Sequence, residues 1–440
     1  MTEGPVGRAI LLFALPIMGS GLLQTLYLVA DSLIIGNYIG PTALGAVGLT
    51  GSLLWLLLTF CTGVGGGVGI VLAQLCGAER EEDVRTCIGA SYALGGIVAA
   101  ALTLPAMLFA APLLARLLAT PPEMLGESAR YLRIFAAGTI FQMLYNVTYG
   151  VLRAHGDSKG ALLCLGISSV LNVALDLLFV GAFSWGVGGA AFASVLAQAA
   201  SAAAAVRYLA HRFPEHRLRI AFGAAERRMA GTVLRIATPL ILQSAVLALG
   251  FTALQRLVNG FGAASVEAYT VSARIEHLAH IPGMGLNAAL AAFVGQNVGA
   301  KNLGRARAGY RTTLRMGTAL IVFISLAVAL AADPLLGMFN IAGEAFSRAR
   351  EQLLVLMASM CVVGVAGITS GFLQGAGDVR TPALGMALNL GVHIAAAYAM
   401  ARTPIGYRSI YLAYPIAVLA GCAVVLARYR GGGWRDASLV

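Results

Sequence analysis

Charge is what this chain has least of. Only 11% of its 440 residues are Asp, Glu, Lys or Arg, against about a quarter in soluble domains. So few charges cannot cover a water-exposed surface, which excludes an ordinary soluble fold. Cysteine is also sparse. Cys61, Cys76, Cys87, Cys164, Cys361 and Cys422 are scattered, with no C-x-x-C pair. That spacing excludes a zinc ribbon or a disulfide framework and leaves small packing residues. The apolar runs lack strand-like alternation, which argues against a membrane barrel. Residues 1–8 have neither the basic region nor the cleavage site of a secretory signal, so the first apolar stretch reads as a permanent span. No H-E-x-x-H, G-x-S-x-G or paired-aspartate signature occurs, so a membrane-embedded enzyme is disfavoured. Nothing reads as a channel selectivity filter either.

What the chain does have is hydrophobic length. Hydrophobic residues make up 59%, and the mean hydropathy is +0.82. Twelve stretches are long enough to cross a hydrocarbon core as helices. They lie near 9–35, 46–75, 88–114, 130–151, 161–183 and 187–210, then 231–259, 266–297, 312–336, 350–373, 382–401 and 408–428. Lys and Arg test this layout. Of the 30, 21 fall on one side of the membrane and six on the other. The positive-inside rule then puts both termini in the cytoplasm, in a multi-pass cell-membrane protein. The net charge of +11 is therefore topological, and no nucleic-acid partner is implied.

The chain also repeats itself. Gln-Leu-Cys-Gly-Ala at 74–78 returns as Gln-Asn-Val-Gly-Ala at 296–300. Gly-Val-Leu-Arg-Ala-His-Gly-Asp at 150–157 returns as Gly-Phe-Leu-Gln-Gly-Ala-Gly-Asp at 371–378, and Ala-Leu-Pro at 14–16 as Ala-Thr-Pro at 237–239. Six spans per half give both halves the same orientation, related by a pseudo-two-fold along the membrane normal, as in transporters. The expected domains are an N-terminal six-helix lobe at 1–213, a cytoplasmic linker at 214–229 and a C-terminal lobe at 230–440. The shared motifs read as lobe architecture. The glycines at 63, 65, 67 and 69 lack the Lys-Ser/Thr of a phosphate loop and suit close helix packing.

Chemistry is expected where a carboxylate stands inside a span, because placing one there costs about 2.5–3.5 kcal/mol. Asp31, Asp176 and Glu276 qualify. Asn172 precedes Asp176 by one turn on the same helix face. Together they could hold a proton, or Na⁺ by oxygen ligation. Asn146, in span four, can face the same interior. In the second half Glu276 can pair with His280 at i+4, and His393 is a further ionisable group, so these three form a possible second site. Tyr27, Tyr145, Tyr149, Met284 and Met357 are candidates for lining a cavity that takes hydrophobic cations. The positions equivalent to Asp31 and Asp176 are Ala253 and Ala397, so coupling chemistry is expected mainly in the first half.

Several of these residues occur together in an ordered set. Leu-Pro at 15–16, Asp31, Gln-x-x-Gly-Ala at 74–78 and Gly-Val-Leu-Arg-Ala-x-Gly-Asp-Ser-Lys at 150–159 come first. Leu-Asn-Val-Ala-Leu-Asp-Leu-Leu-Phe at 171–179 and Gly-Val-Gly-Gly-Ala-Ala at 186–191 follow. The set, over nearly the whole chain, resembles the MATE (multidrug and toxic compound extrusion) family, and within it the bacterial and archaeal DNA-damage-inducible branch. The resemblance implies an all-α membrane protein of twelve transmembrane helices in two lobes, V-shaped, working by alternating access. It implies export of organic, mostly cationic compounds in exchange for H⁺ or Na⁺, with no other cofactor. Asp31, Asn172 and Asp176 match the first-lobe ion site, and Asn146 matches more loosely. This chain departs from the family pattern at Gly21, Thr25 and Leu28, where Asn and Gln are usual, and at His155, where a neutral residue is. The runner-up is a flippase for a lipid-linked saccharide, which wants a strongly cationic cavity; only Arg133, Arg256 and Arg274 are available for one. A monomer in contact with membrane lipid is expected.

Overall fold

The computed structural model describes residues 1–118, 120–216, 223–339 and 341–439. Among them there are helices and turns but no strand. The first half runs α1 (Val6–Tyr38), α2 (Pro41–Gly77), α3 (Glu81–Leu108), α4 (Pro122–Ala137), α5 (Thr139–Ala154), α6 (Ser158–Asp176) and α7 (Gly186–Arg212). The second runs α8 (Ala224–Asn259), α9 (Ala263–Gly299), α10 (Leu303–Leu330), α11 (Gly343–Gly375), α12 (Arg380–Ala401) and α13 (Ser409–Gly431). Among the described residues, eleven helices are long and apolar enough to cross a membrane. The chain is a multi-pass membrane protein.

The fourth expected span, 130–151, is not one helix. α4 and α5 have 16 residues each and meet at Gly138, whose amide bonds back to the Phe135 carbonyl at 3.0 Å. Each piece is only about 24 Å long at the usual helical rise, so neither crosses a bilayer alone. The counterpart in the second half, α11, is an unbroken 33 residues.

The compact units also divide differently from the sequence reading. One contains Met1–Met18 with Leu242–Val440, the other Gly19–Ile241. The lobe boundary expected at 214–229 is therefore not where the units separate, and residues 217–222 of that linker lie outside the described residues. The cause is packing by the first turns of α1 and α8. Ile10, Phe13 and Ala14 of α1 are buried in one core with Leu286, Leu290 and Phe293 of α9. The start of α8 instead packs on α2, where a Cβ at Gly67 would lie 2.9 Å from that of Ala237. Both divided helices carry an internal proline, Pro16 and Pro239, which removes one hydrogen bond from the helical ladder.

The glycine run behaves as its spacing predicts. Gly63 and Gly67 face α8, while Gly65 and Gly69 face Asn146 and Gly150 of α5. The repeated motifs build the turns. Gly156 and Gly377 adopt φ of 82° and 97°, where a side chain is strained. Asp157 and Asp378 then cap the next helix, accepting from the amides of Gly160 at 2.9 Å and Thr381 at 3.1 Å. Each aspartate also reaches the last span of its half, through Tyr208 at 2.8 Å and Arg428 at 2.7 Å.

Candidate functional site

Asp31 and Asp176 stand about 145 positions apart in the chain, yet the fold makes their carboxyls close neighbours. α1 delivers Asp31 one turn past Tyr27. α6 delivers Asp176 at its last residue, where the backbone widens into π-helical turns over Leu177–Ala182. Such turns often mark functional positions in helices. Asp176 is fully buried, and Asn172 is 1% exposed.

Asn172 sits between Asp176 and α7. With its amide oriented to satisfy both ends, Asn172 donates to Asp176 Oδ2 at 2.8 Å. Its oxygen then accepts from the Ser194 hydroxyl at 3.3 Å and from the Ser194 amide at 3.2 Å. Tyr27 Oη lies 3.5 Å from the same hydroxyl. Tyr131, 4% exposed, is a near neighbour of Tyr27 and of both aspartates. Among the described residues no Lys or Arg pairs with either carboxyl.

Two neighbouring carboxylates repel each other, and a proton taken up by one of them relieves that repulsion. The arrangement can therefore hold or release a proton without a fixed counter-cation. The sequence points to Asp31, Asn172 and Asp176 here, offers Tyr27 only as a substrate-cavity residue, and misses Ser194 and Tyr131. A serine in a small-residue helix and a tyrosine in an amphipathic one give no signal by themselves.

Asn146 does not join this cluster. It is 7% exposed, donates to the Gln142 carbonyl at 2.8 Å, and packs against Gly65. In the second half, Glu276 accepts from Tyr414 Oη at 2.9 Å; no hydrogen bond links it to His280 among the described residues. The expected i+4 pair is thus replaced by a partner from α13. His393 lies with Tyr414, rings 5.4 Å apart, while its Nε2 meets the Ile410 carbonyl at 2.9 Å. His280 instead lines a separate cavity of about 40 Å³ with Met284, Asn287 and Met360.

Of the proposed cavity-lining residues, Met284 is 55% exposed and Met357 only 2%. Met357 belongs to a hydrophobic core with Ile275 and Leu353, where it packs. Tyr145 and Tyr149 stack at 5.9 Å, and Arg153 lies over the Tyr149 ring at 5.3 Å.

Comparison with known proteins agrees with this architecture. The MatE family model matches residues 16–178 and again 239–399, which are the two halves of the repeat. The probable multidrug resistance protein YoeA of Bacillus subtilis is 25% identical over 97% of this chain and 94% of its own length. The probable multidrug resistance protein YpnP of the same organism is 30% identical over 68% of this chain and 67% of its own length. A crystal structure of MATE in the bent conformation superposes with a TM-score of 0.91 at 23% identity, covering 99% of this chain and 98% of that one. With the twofold match of the family model covering most of its length, the chain belongs to the MatE family of membrane transporters.

Proposed function

We propose that the protein is a secondary antiporter that exports small organic compounds, mostly cationic and lipophilic, in exchange for protons. The observation that carries the reading is the Asp31–Asp176 pair, with Asp176 fully buried, Asp31 half-buried, and no Lys or Arg paired with either carboxyl among the described residues. The names of YoeA and YpnP as probable multidrug resistance proteins support the substrate class. In this reading both termini are cytoplasmic, the protein works as a monomer in the cell membrane, and proton loss from the pair favours one conformation while substrate favours another. Asn146 then acts by packing, and Glu276, His280 and His393 are not required for coupling.

Na⁺ at Asp176 and Asn172 is the second reading for the coupling ion. A hard cation wants oxygen ligands, and the Asn172 amide could turn its oxygen to such an ion or donate its nitrogen to Asp176 Oδ2 when none is bound. The proton reading rests instead on the pairing of two carboxyls, which a single proton relieves. A lipid-linked saccharide flippase has less support, since Arg133 donates to the Met107 carbonyl at 3.3 Å.

The test is uptake of a fluorescent cationic dye into proteoliposomes under a pH gradient or a Na⁺ gradient imposed separately. A response to pH alone is expected. A response to Na⁺ alone would transfer the coupling to Na⁺, and no response to either would overturn the antiporter.

A further inference from the structure

In the first half the two repeated motifs meet through side chains that the second half lacks. Cys76, from the motif ending α2, places Sγ 3.8 Å from Nε2 of His155, in the motif following α5. The positions equivalent by the repeat are Val298 and Ala376, both buried and apolar. The turn is built without a thiol and an imidazole in one half, so the architecture does not require them in the other.

The geometry around His155 is specific. Nδ1 lies 2.8 Å from the Val151 carbonyl, which can only accept. That nitrogen therefore carries the proton, and the neutral ring presents its Nε2 lone pair to Cys76. A backbone carbonyl fixes metal-ligating histidines in the same way. Phe213 packs on the ring at 4.7 Å. Cys76 and His155 are both partly exposed, so a small ion can reach them. Bonds of about 2.3 Å to sulfur and about 2.0 Å to nitrogen span the observed separation at a sulfur–metal–nitrogen angle of about 120°. Among the described residues no group of three or more His, Cys, Asp or Glu is placed to hold a metal. A closed zinc site is thereby excluded, and two protein ligands with water completing the shell remain. Thiolate and imidazole together select soft ions.

We propose that Cys76 and His155 form a binding site for a soft, thiophilic metal ion that bridges the ends of α2 and α5. The thiol proton leaves to water as the sulfur–metal bond forms, and Nε2 donates its lone pair to the ion; no electron is transferred. The ion fastens two helices that Gly65 and Gly69 already bring close to Asn146 and Gly150.

The test uses Cd²⁺ alone as the probe, titrated into the purified full-length protein in detergent and followed by sulfur-to-metal charge-transfer absorption. One Cd²⁺ is expected to bind roughly tenfold or more tightly than in His155→Ala. Cys76→Val is expected to lose the site. Both variants copy the residues that the second half places in the same turn. His155→Ala retains all six thiols, so its loss of affinity isolates the pair from general thiol binding. His155→Gln keeps a polar side chain of similar reach and is expected to match His155→Ala. Wild-type affinity in either histidine variant, or no site in the wild type, overturns the proposal.

Discussion

Tyr92 with Thr148 in the first half, and Tyr310 with Thr369 in the second, make the same buried hydroxyl pair at 2.9 and 3.0 Å. Glu79 and Lys301, each following a Gln-x-x-Gly-Ala motif, share φ values of 57° and 58°. Elsewhere the halves diverge. His393 stands where the repeat places Asn172, and Ala253 and Ala397 stand where it places Asp31 and Asp176. Tyr398 donates to the Ala253 carbonyl at 3.1 Å, and Ala397 is sealed with Leu254 and Ala413. Helix ends keep their partners because each motif closes its own hydrogen bonds. Interior carboxyls are costly, and the second half has alanine at both of these positions, while its own Glu276 is held by Tyr414.

The sharpest way to break this comparison is to neutralise each half's carboxyls in turn. Asp31→Asn and Asp176→Asn should each lower gradient-driven dye transport by roughly tenfold or more, because the amide cannot take up and release the proton. Glu276→Gln keeps an acceptor for Tyr414 and should stay within about twofold of wild type. Transport initial rates in proteoliposomes, at matched protein incorporation, decide it. If Glu276→Gln falls as far as Asp176→Asn, ion coupling is shared between the halves.

Next in size is the graft of a carboxyl into the second half. Ala397 is fully buried, the Asp31 position is Ala253, and His393 in the Asn172 position already engages the Ile410 carbonyl through Nε2. Ala397→Asp should lose about 3 kcal/mol, seen as a lower thermal midpoint in detergent. Wild-type stability would mean that the second interior tolerates charge as the first does.

The unevenness between halves also governs what could be read from residues alone. The spans were legible because crossing a bilayer dictates length and apolarity. The break at Gly138 was not, since a Cβ there would meet Val195 at 2.5 Å, a contact set by α7 and invisible locally. Asp31 and Asp176 stood out by their cost. Ser194 did not, because a lone hydroxyl is cheap to bury in a helix. Helical periodicity finds partners three or four residues away, so it offered His280 to Glu276 and could not offer Tyr414 from another helix. The same blindness assigned all of the first 18 residues to the first lobe.

The smallest effect tests the ends of the halves opposite the repeated motifs. In the second half that end is tied by ion pairs: Arg350 to Asp333 at 2.6 Å, Arg408 to Glu351 at 2.9 Å, and Arg348 to Glu344. In the first half it is an aromatic cluster, with Trp185 stacked on Phe179 at 4.8 Å and Phe183 and Phe192 around them. Arg350 and Asp333 are half-exposed, so Arg350→Gln should cost under about 1 kcal/mol. Its effect should fade as salt shortens the Debye length from about 10 Å at 0.1 M to about 3 Å at 1 M. Trp185→Ala removes a ring pair worth about 0.5–1.5 kcal/mol and some apolar burial, neither of which salt screens. Thermal midpoints of both variants at low and high salt separate the two kinds of fastening. If both shifts survive 1 M salt, the ion pairs hold the second half by packing of their side-chain stems, and the two ends are alike after all.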